Sequence, residues 1–287
     1  MKLAIGTVQF GLEYGVSNSA GRTPANEAGR ILSRARSAGV DTLDTAIAYG
    51  DSEKVLGEIG LNGWQVISKV PSLPDGANAQ EWISTNLRQS LSSLGLEKLD
   101  GLLLHNADDL LKSQSDSVIA GLQQAKSEGL VKKIGYSIYN PDNLLELTHR
   151  LKPDLVQVPV NVLDQRIVTS GWLGRLAEMG VEVHVRSVFL QGLLLMPPAN
   201  RPAYFSRWQE LWQRWDSHIV SQNTSPLAAC LGYVKSLPDV ARIVVGVDNL
   251  KHLEQLLSAW EVSRPLGAEN FSCTDRNLIE PVNWTLQ

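Results

Sequence analysis

Eight short apolar runs, each followed by a stretch with helical spacing, constrain the 287-residue chain more than any other feature. The runs are Leu3–Thr7, Thr42–Thr45, Gln65–Lys69, Gly101–His105, Lys133–Ser137, Leu155–Val158, Val181–Arg186 and Arg242–Gly246. They are continuous in Val, Ile and Leu, which predicts strands buried on both faces. Between them, Val118, Leu122 and Ala125, and likewise Leu250, Leu253 and Leu257, recur at steps of three and four residues, one face of a helix. Eight βα units in succession predict an α/β fold, a closed (β/α)8 TIM barrel forming a single domain over residues 1–287. An open doubly wound sheet is the alternative the same alternation allows.

Two segments depart from the repeat. Residues 196–224 separate the seventh strand from its helix, a long loop of the kind that often carries function. It opens Met196-Pro197-Pro198 and carries Trp208, Trp212 and Trp215 at helical spacing, either an amphipathic helix packed on the barrel or an aromatic wall of a pocket. The tail after Trp260 holds Pro265 and Pro281 and reads as irregular.

Composition excludes several classes. With 43% hydrophobic and 20% charged residues the chain is globular and not disordered. A net charge of −4 without any Lys/Arg block argues against a nucleic-acid partner. No apolar run approaches the roughly 20 residues of a membrane span. Met1–Gly6 is too short to read as a signal peptide. Cys230 and Cys273 stand far apart and make neither a disulfide framework nor a zinc site, so no metal is expected and a reduced, cytoplasmic setting is.

In TIM barrels the chemistry sits where strands end. The second run leads into Asp44-Thr45-Ala46-Ile47-Ala48-Tyr49-Gly50, the third ends Ser68-Lys69-Val70, and the fourth ends Leu104-His105-Asn106. Asp44, Tyr49, Lys69 and His105 therefore open into one cavity. Hydride delivery to a carbonyl creates an alkoxide that needs a proton. A free tyrosine, with a pKa of about 10, gives one poorly near neutrality, and a nearby ammonium favours the phenolate. A lysine inside a barrel tends to lose its proton, and a buried aspartate beside it keeps it charged. A histidine within reach of the carbonyl oxygen orients the substrate or relays a proton.

These residues have a familiar order. Gly6-Thr7-Val8-Gln9-Phe10-Gly11, the Asp44–Gly50 run with Ser52-Glu53 after it, Lys69, Leu103-Leu104-His105, Ile134-Gly135-Tyr136-Ser137, Val156-Gln157 and Gly246 follow one another along nearly the whole chain. In this order and spacing the chain resembles the aldo-keto reductase superfamily. The resemblance implies a barrel that binds NADPH in extended form, NADH being possible, and reduces a small-molecule aldehyde or ketone. It implies Tyr49 as general acid, Asp44 and Lys69 as the pair tuning it, and His105 as the substrate-orienting residue. The hairpin that plugs the barrel floor in the family is not evident before the first strand.

The resemblance also assigns cofactor contacts. Gly6, Thr7 and Asp44 fall on the cofactor's side of the site. Ser137 and Gln157 match carboxamide-holding positions, but Ile138 stands where Asn is common, so one hydrogen bond is lost or Asn161 replaces it. Arg186, followed by Ser187, occupies the place of an aromatic ring stacked on the nicotinamide. A guanidinium plane can also stack, although it would repel the oxidised ring and so favour the reduced cofactor; a salt bridge at the barrel mouth is the plainer reading. Phe189, Gln191 and Gly192 fall where the pyrophosphate is held. Gly246-Val247-Asp248-Asn249 opens the last helix, with Asn249 a plausible N-cap, where a 2′-phosphate normally sits. Asp248 would repel that phosphate, whereas Lys251 and a protonated His252 would attract it. Gly11–Gly15 is either pocket lining or a plain turn. Two other functions remain compatible: a regulatory barrel that binds cofactor without turnover, and a Schiff-base aldolase using Lys69.

Overall fold

The computed structural model describes residues 1–18 and 20–286. Eight parallel strands close into a barrel in sequence order. They are β1 (Leu3–Gly6), β2 (Thr42–Asp44), β3 (Gln65–Val70), β4 (Leu99–Leu104), β5 (Val131–Ser137), β6 (Leu155–Pro159), β7 (Glu182–Arg186) and β8 (Arg242–Gly246). Closure runs through β1 and β8, with Leu3 opposite Ile243 and Gly6 opposite Gly246. The closed barrel rules out the open doubly wound sheet. Among the described residues no helix is long and apolar enough to cross a membrane.

The period-two alternation of a strand divides the side chains into two sets. Leu43, Leu102, Val156, Val183 and Ile243 face outward into the main core, under helices such as Ala25–Ser37, Ala79–Leu94 and Ser115–Ser127. Ile67, Leu103 and Leu155 form a separate small cluster inside the barrel. Two residues further along the same strands stand Lys69, His105 and Gln157, so the inner face turns polar where the strands end. At the opposite end the filling is polar too: Glu182 pairs with Lys133 and takes a 2.7 Å contact from His184 Nε2, and Arg242 donates to Thr42 Oγ1 at 3.0 Å.

The loop after β7 is structured. Short 3₁₀ turns lead into a helix, Gln209–Ser221, whose Trp212 and Trp215 are buried. Trp215 meets Phe271 edge-on at 5.5 Å, Trp212 Nε1 donates to Phe205 O, and Trp208 Nε1 donates to Asp275. The tryptophan stripe therefore packs the loop against the tail. The tail is itself tied down: Glu280, nearly fully buried, accepts from Arg166 at 2.7 Å and from Arg276 at 2.9 Å.

Candidate active site

Two glycines let the loop that carries Tyr49 reach its place. A Cβ on Gly11 would stand 1.7 Å from Tyr49 O, so only glycine lets the two loops pass in contact. Gly50 turns the chain with φ 55°, a left-handed conformation that costs other residues more. Ser52 then donates to Thr7 Oγ1 at 2.8 Å and to Thr7 O at 2.9 Å, pinning the start of helix Ser52–Ile59 to the end of β1. Glu53 Oε1 accepts from Ser68 at 2.6 Å and Ser90 at 2.7 Å, which ties that helix to β3. Burial lifts the Glu53 carboxyl above the usual range, although both hydroxyls and Lys69 pull the other way. The Ser52-Glu53 pair thus anchors the loop that carries Tyr49.

Lys69 is 1% exposed and lies beneath Tyr49. Its Nζ donates to both Asp44 oxygens at 2.9 and 2.8 Å, to Thr45 O at 2.9 Å, and to Tyr49 OH at 3.5 Å. Burial acts to lower its pKa, but Asp44 and Tyr49 outweigh it and the net shift is upward, so the ammonium stays charged. Gln157 Nε2 donates to Asp44 Oδ1 at 2.6 Å and completes the aspartate's shell. His105 meets the Tyr49 ring edge-on at 5.7 Å. Burial first, then the charges of Lys69 and Arg186, hold its pKa down to about 4, so its ring is neutral near pH 7.

A cavity of about 510 Å³ opens over this cluster and runs from the ends of β4–β7 to the last helix. Gly6, Thr7, Asp44, Tyr49, His105, Ser137, Gln157, Arg186, Ser187, Phe189, Gln191, Gly246, Asp248 and His252 all line it. Two expected residues do not. Lys69 is covered by Tyr49, and Asn249 caps the helix Leu250–Val262, accepting from His252 N at 2.9 Å. Asn161 does not stand in for the missing amide of Ile138. It is buried, its Oδ1 accepts from Leu163 N and Asp164 N, and its Nδ2 donates to Ser187 O. Arg186 forms no salt bridge among the described residues; it lies 4.7 Å over the Tyr139 ring and donates to Ile138 O and Ser187 Oγ. Of Gly11–Gly15, Tyr14 and Gly15 line the cavity.

Sequence reasoning assigned no role to Tyr139, Gln9 or Glu27. Tyr139 follows Ser137 by two positions, and Gln9 lies inside the first glycine motif, so both were signalled by position. Glu27 carried no signal. It reaches from helix Ala25–Ser37 and accepts from Leu250 N at 2.7 Å, at the start of the last helix. Asp248 faces its own helix, 3.2 Å from His252 Nδ1, and is not turned to solvent.

The cavity suits an extended dinucleotide. Gln157 Oε1 and Gln9 Oε1 are buried, line it, and have no partner among the described residues. Gly246 leaves room beside Gln9, since a Cβ there would meet Gln9 Nε2 at 2.3 Å. Among the described residues no group of acidic, histidine and cysteine side chains is placed to hold a metal.

A closed βα barrel with a Lys–Asp pair buried under a tyrosine, at the strand ends of a long cleft with a few convergent polar groups, is the site of a TIM-barrel enzyme. The chain belongs to the aldo/keto reductase family, which it matches over residues 2–276. It is 27% identical over 278 residues to a 6-dehydroglucose reductase of Novosphingobium aromaticivorans, covering 87% of this chain and 88% of that one. It is 28% identical over 304 residues to a D-threo-aldose 1-dehydrogenase of Pseudomonas, covering 90% and 92%. In fold it superposes on the aldo-keto reductase AKR11C1 of Bacillus halodurans with a TM-score of 0.74 at 21% identity, covering 94% of this chain and 89% of that chain. Family and relatives together support carbonyl oxidoreduction as the class of activity.

Proposed function

We propose that the protein reduces an aldehyde or ketone to an alcohol, using NADPH or NADH and taking the proton from Tyr49. The observation that carries this reading is the buried Lys69, whose ammonium touches Asp44 on one side and the Tyr49 hydroxyl on the other. Bound in the cleft, the reduced nicotinamide supplies hydride. Tyr49 OH gives its proton to the oxygen of the carbonyl as negative charge grows there. Lys69 stabilises the phenolate left behind, and Asp44 holds the lysine charged and in place. Neutral His105 presents a single N–H to the same oxygen and orients the carbonyl. Ser137 and the free Gln157 oxygen suit a carboxamide, and Gly6, Thr7, Ser187, Phe189, Gln191 and Gly246 suit the body of the dinucleotide.

Two carboxylates, Asp248 and Glu27, stand at the start of the last helix, and Glu27 already occupies the Leu250 N–H. Both oppose a further phosphate there, so NADPH binds with only a modest preference over NADH. The Schiff-base reading is disfavoured because Lys69 is shut off from the cavity with its hydrogens committed. A screen of cofactor oxidation over a carbonyl panel, with NADPH and with NADH, tests the proposal. Turnover with either cofactor supports it; tight cofactor binding with no carbonyl reduced would leave a regulatory barrel instead.

A further inference from the structure

Arg186 ends β7 without an acidic partner among the described residues. Its two hydrogen-bond acceptors, Ser187 Oγ at 3.2 Å and Ile138 O at 3.1 Å, are neutral, and its remaining contact is the Tyr139 ring. A guanidinium has five N–H donors, so three are left over. Of the acidic groups that line the same cavity, Asp44 is engaged by Lys69 and Gln157, and Asp248 stands at the start of helix Leu250–Val262, 3.2 Å from His252 Nδ1. A half-buried cation thus faces the cavity with no acidic partner of its own among the described residues, and an unpaired charge away from water is costly. An incoming oxyanion relieves that cost. Arg186 lines the cavity together with Tyr49, His105 and Tyr14, and its charge is felt at both His105 and Tyr14. That places it at the end of the cleft that holds Tyr49 and His105.

We propose that Arg186, packed over the Tyr139 ring, selects carbonyl substrates that carry a carboxylate or phosphate a few bonds from the carbonyl. This deepens the reductase reading, on which it rests, by naming the substrate class. A planar guanidinium with free edge donors suits either oxyanion. Tyr139 keeps the plane in position without neutralising it.

Calorimetric titration tests this without requiring turnover. Malonate and glycerol 3-phosphate, with malonamide and glycerol as neutral counterparts, are titrated into wild type, Arg186→Met and Arg186→Lys, each with and without NADPH. Wild type binds at least one anion more tightly than its neutral counterpart, and the two arms show whether carboxylate or phosphate is preferred. Arg186→Met, which keeps an apolar stem against Tyr139, weakens that anion by about tenfold to a hundredfold, the range for a hydrogen bond to a charged group. Arg186→Lys restores part of the loss. In kinetics, the ratio of kcat/KM for succinic semialdehyde over butanal, or for glyceraldehyde 3-phosphate over glyceraldehyde, collapses in the Met variant. Anions bound no better than neutral compounds, or equally well by wild type and Arg186→Met, overturn the proposal. So does a Met variant that loses NADPH affinity while keeping anion affinity, since the guanidinium would then serve the nicotinamide. Anion binding through Arg186 in a protein that oxidises neither cofactor would instead count against the reductase reading alone.

Discussion

His105 and the Asp44–Lys69 pair show how burial sets charge at single residues. A histidine held down to about 4 in the folded protein and near 6.5 when unfolded is protonated only in the unfolded chain between those values. The unfolded state then binds more protons, so stability rises with pH through this window, is complete above pH about 6.5, and is lost as pH falls towards 4. Replacing His105 by Gln should flatten the dependence of unfolding free energy on pH between about 6.5 and 4, by at most about 3 kcal/mol; urea unfolding at several pH values checks this. The ion pair behaves differently. Removing one partner leaves a buried charge uncompensated, which typically costs about 3–5 kcal/mol. Asp44→Asn and Lys69→Met should each lower stability and activity strongly, whereas the double variant should lose much less than the sum. Additive losses, in unfolding or in kcat/KM, would show that the two do not work as one unit.

At the scale of elements, the loop after β7 and the start of the last helix carry the differences. The loop's length marked it as a departure from the repeat, but length alone could not say whether its tryptophans face a ligand or the tail. That choice depended on Phe271 and Asp275, far away in sequence. Trp215, fully buried, should cost about 3–5 kcal/mol when cut to Ala, by the usual loss for a large core side chain, with NADPH affinity little changed; thermal unfolding and a binding titration separate the two effects. The last helix was legible in part. Asn249 as its cap followed from residue type, whereas Glu27 at the same N-terminus could not be read, since its approach is set by how helix Ala25–Ser37 packs. Asp248→Arg replaces a repelling charge with an attracting one at that N-terminus and should raise NADPH affinity by roughly 1 kcal/mol or more, with NADH affinity nearly constant. Fluorescence quenching measures both. A wild type that already binds NADPH many hundredfold more tightly than NADH would remove Asp248 from this role.

For the whole molecule, barrel geometry converts sequence order into a site. Strand ends spread over some two hundred residues meet at one rim, and the inward alternation aims His105, Ser137, Gln157 and Arg186 from four neighbouring strands at one cavity, with Lys69 of β3 buried beneath Tyr49 beside it. This is why the strands, and the clustering of polar side chains at their ends, were readable from local runs and their last residues. Contacts set by tertiary approach were not readable: Gln157 on Asp44, Tyr139 under Arg186, and Asn161 engaged with its own loop. The central claim is that this rim is built to deliver a proton from Tyr49, and Tyr49→Phe tests it most directly, since it removes the hydroxyl while keeping the ring packed beside His105. General acid catalysis is typically worth about 10²–10⁴ in rate. The account predicts that carbonyl reduction by the Phe variant falls at least about a hundredfold with NADPH affinity nearly unchanged; turnover close to that of the wild type would contradict it.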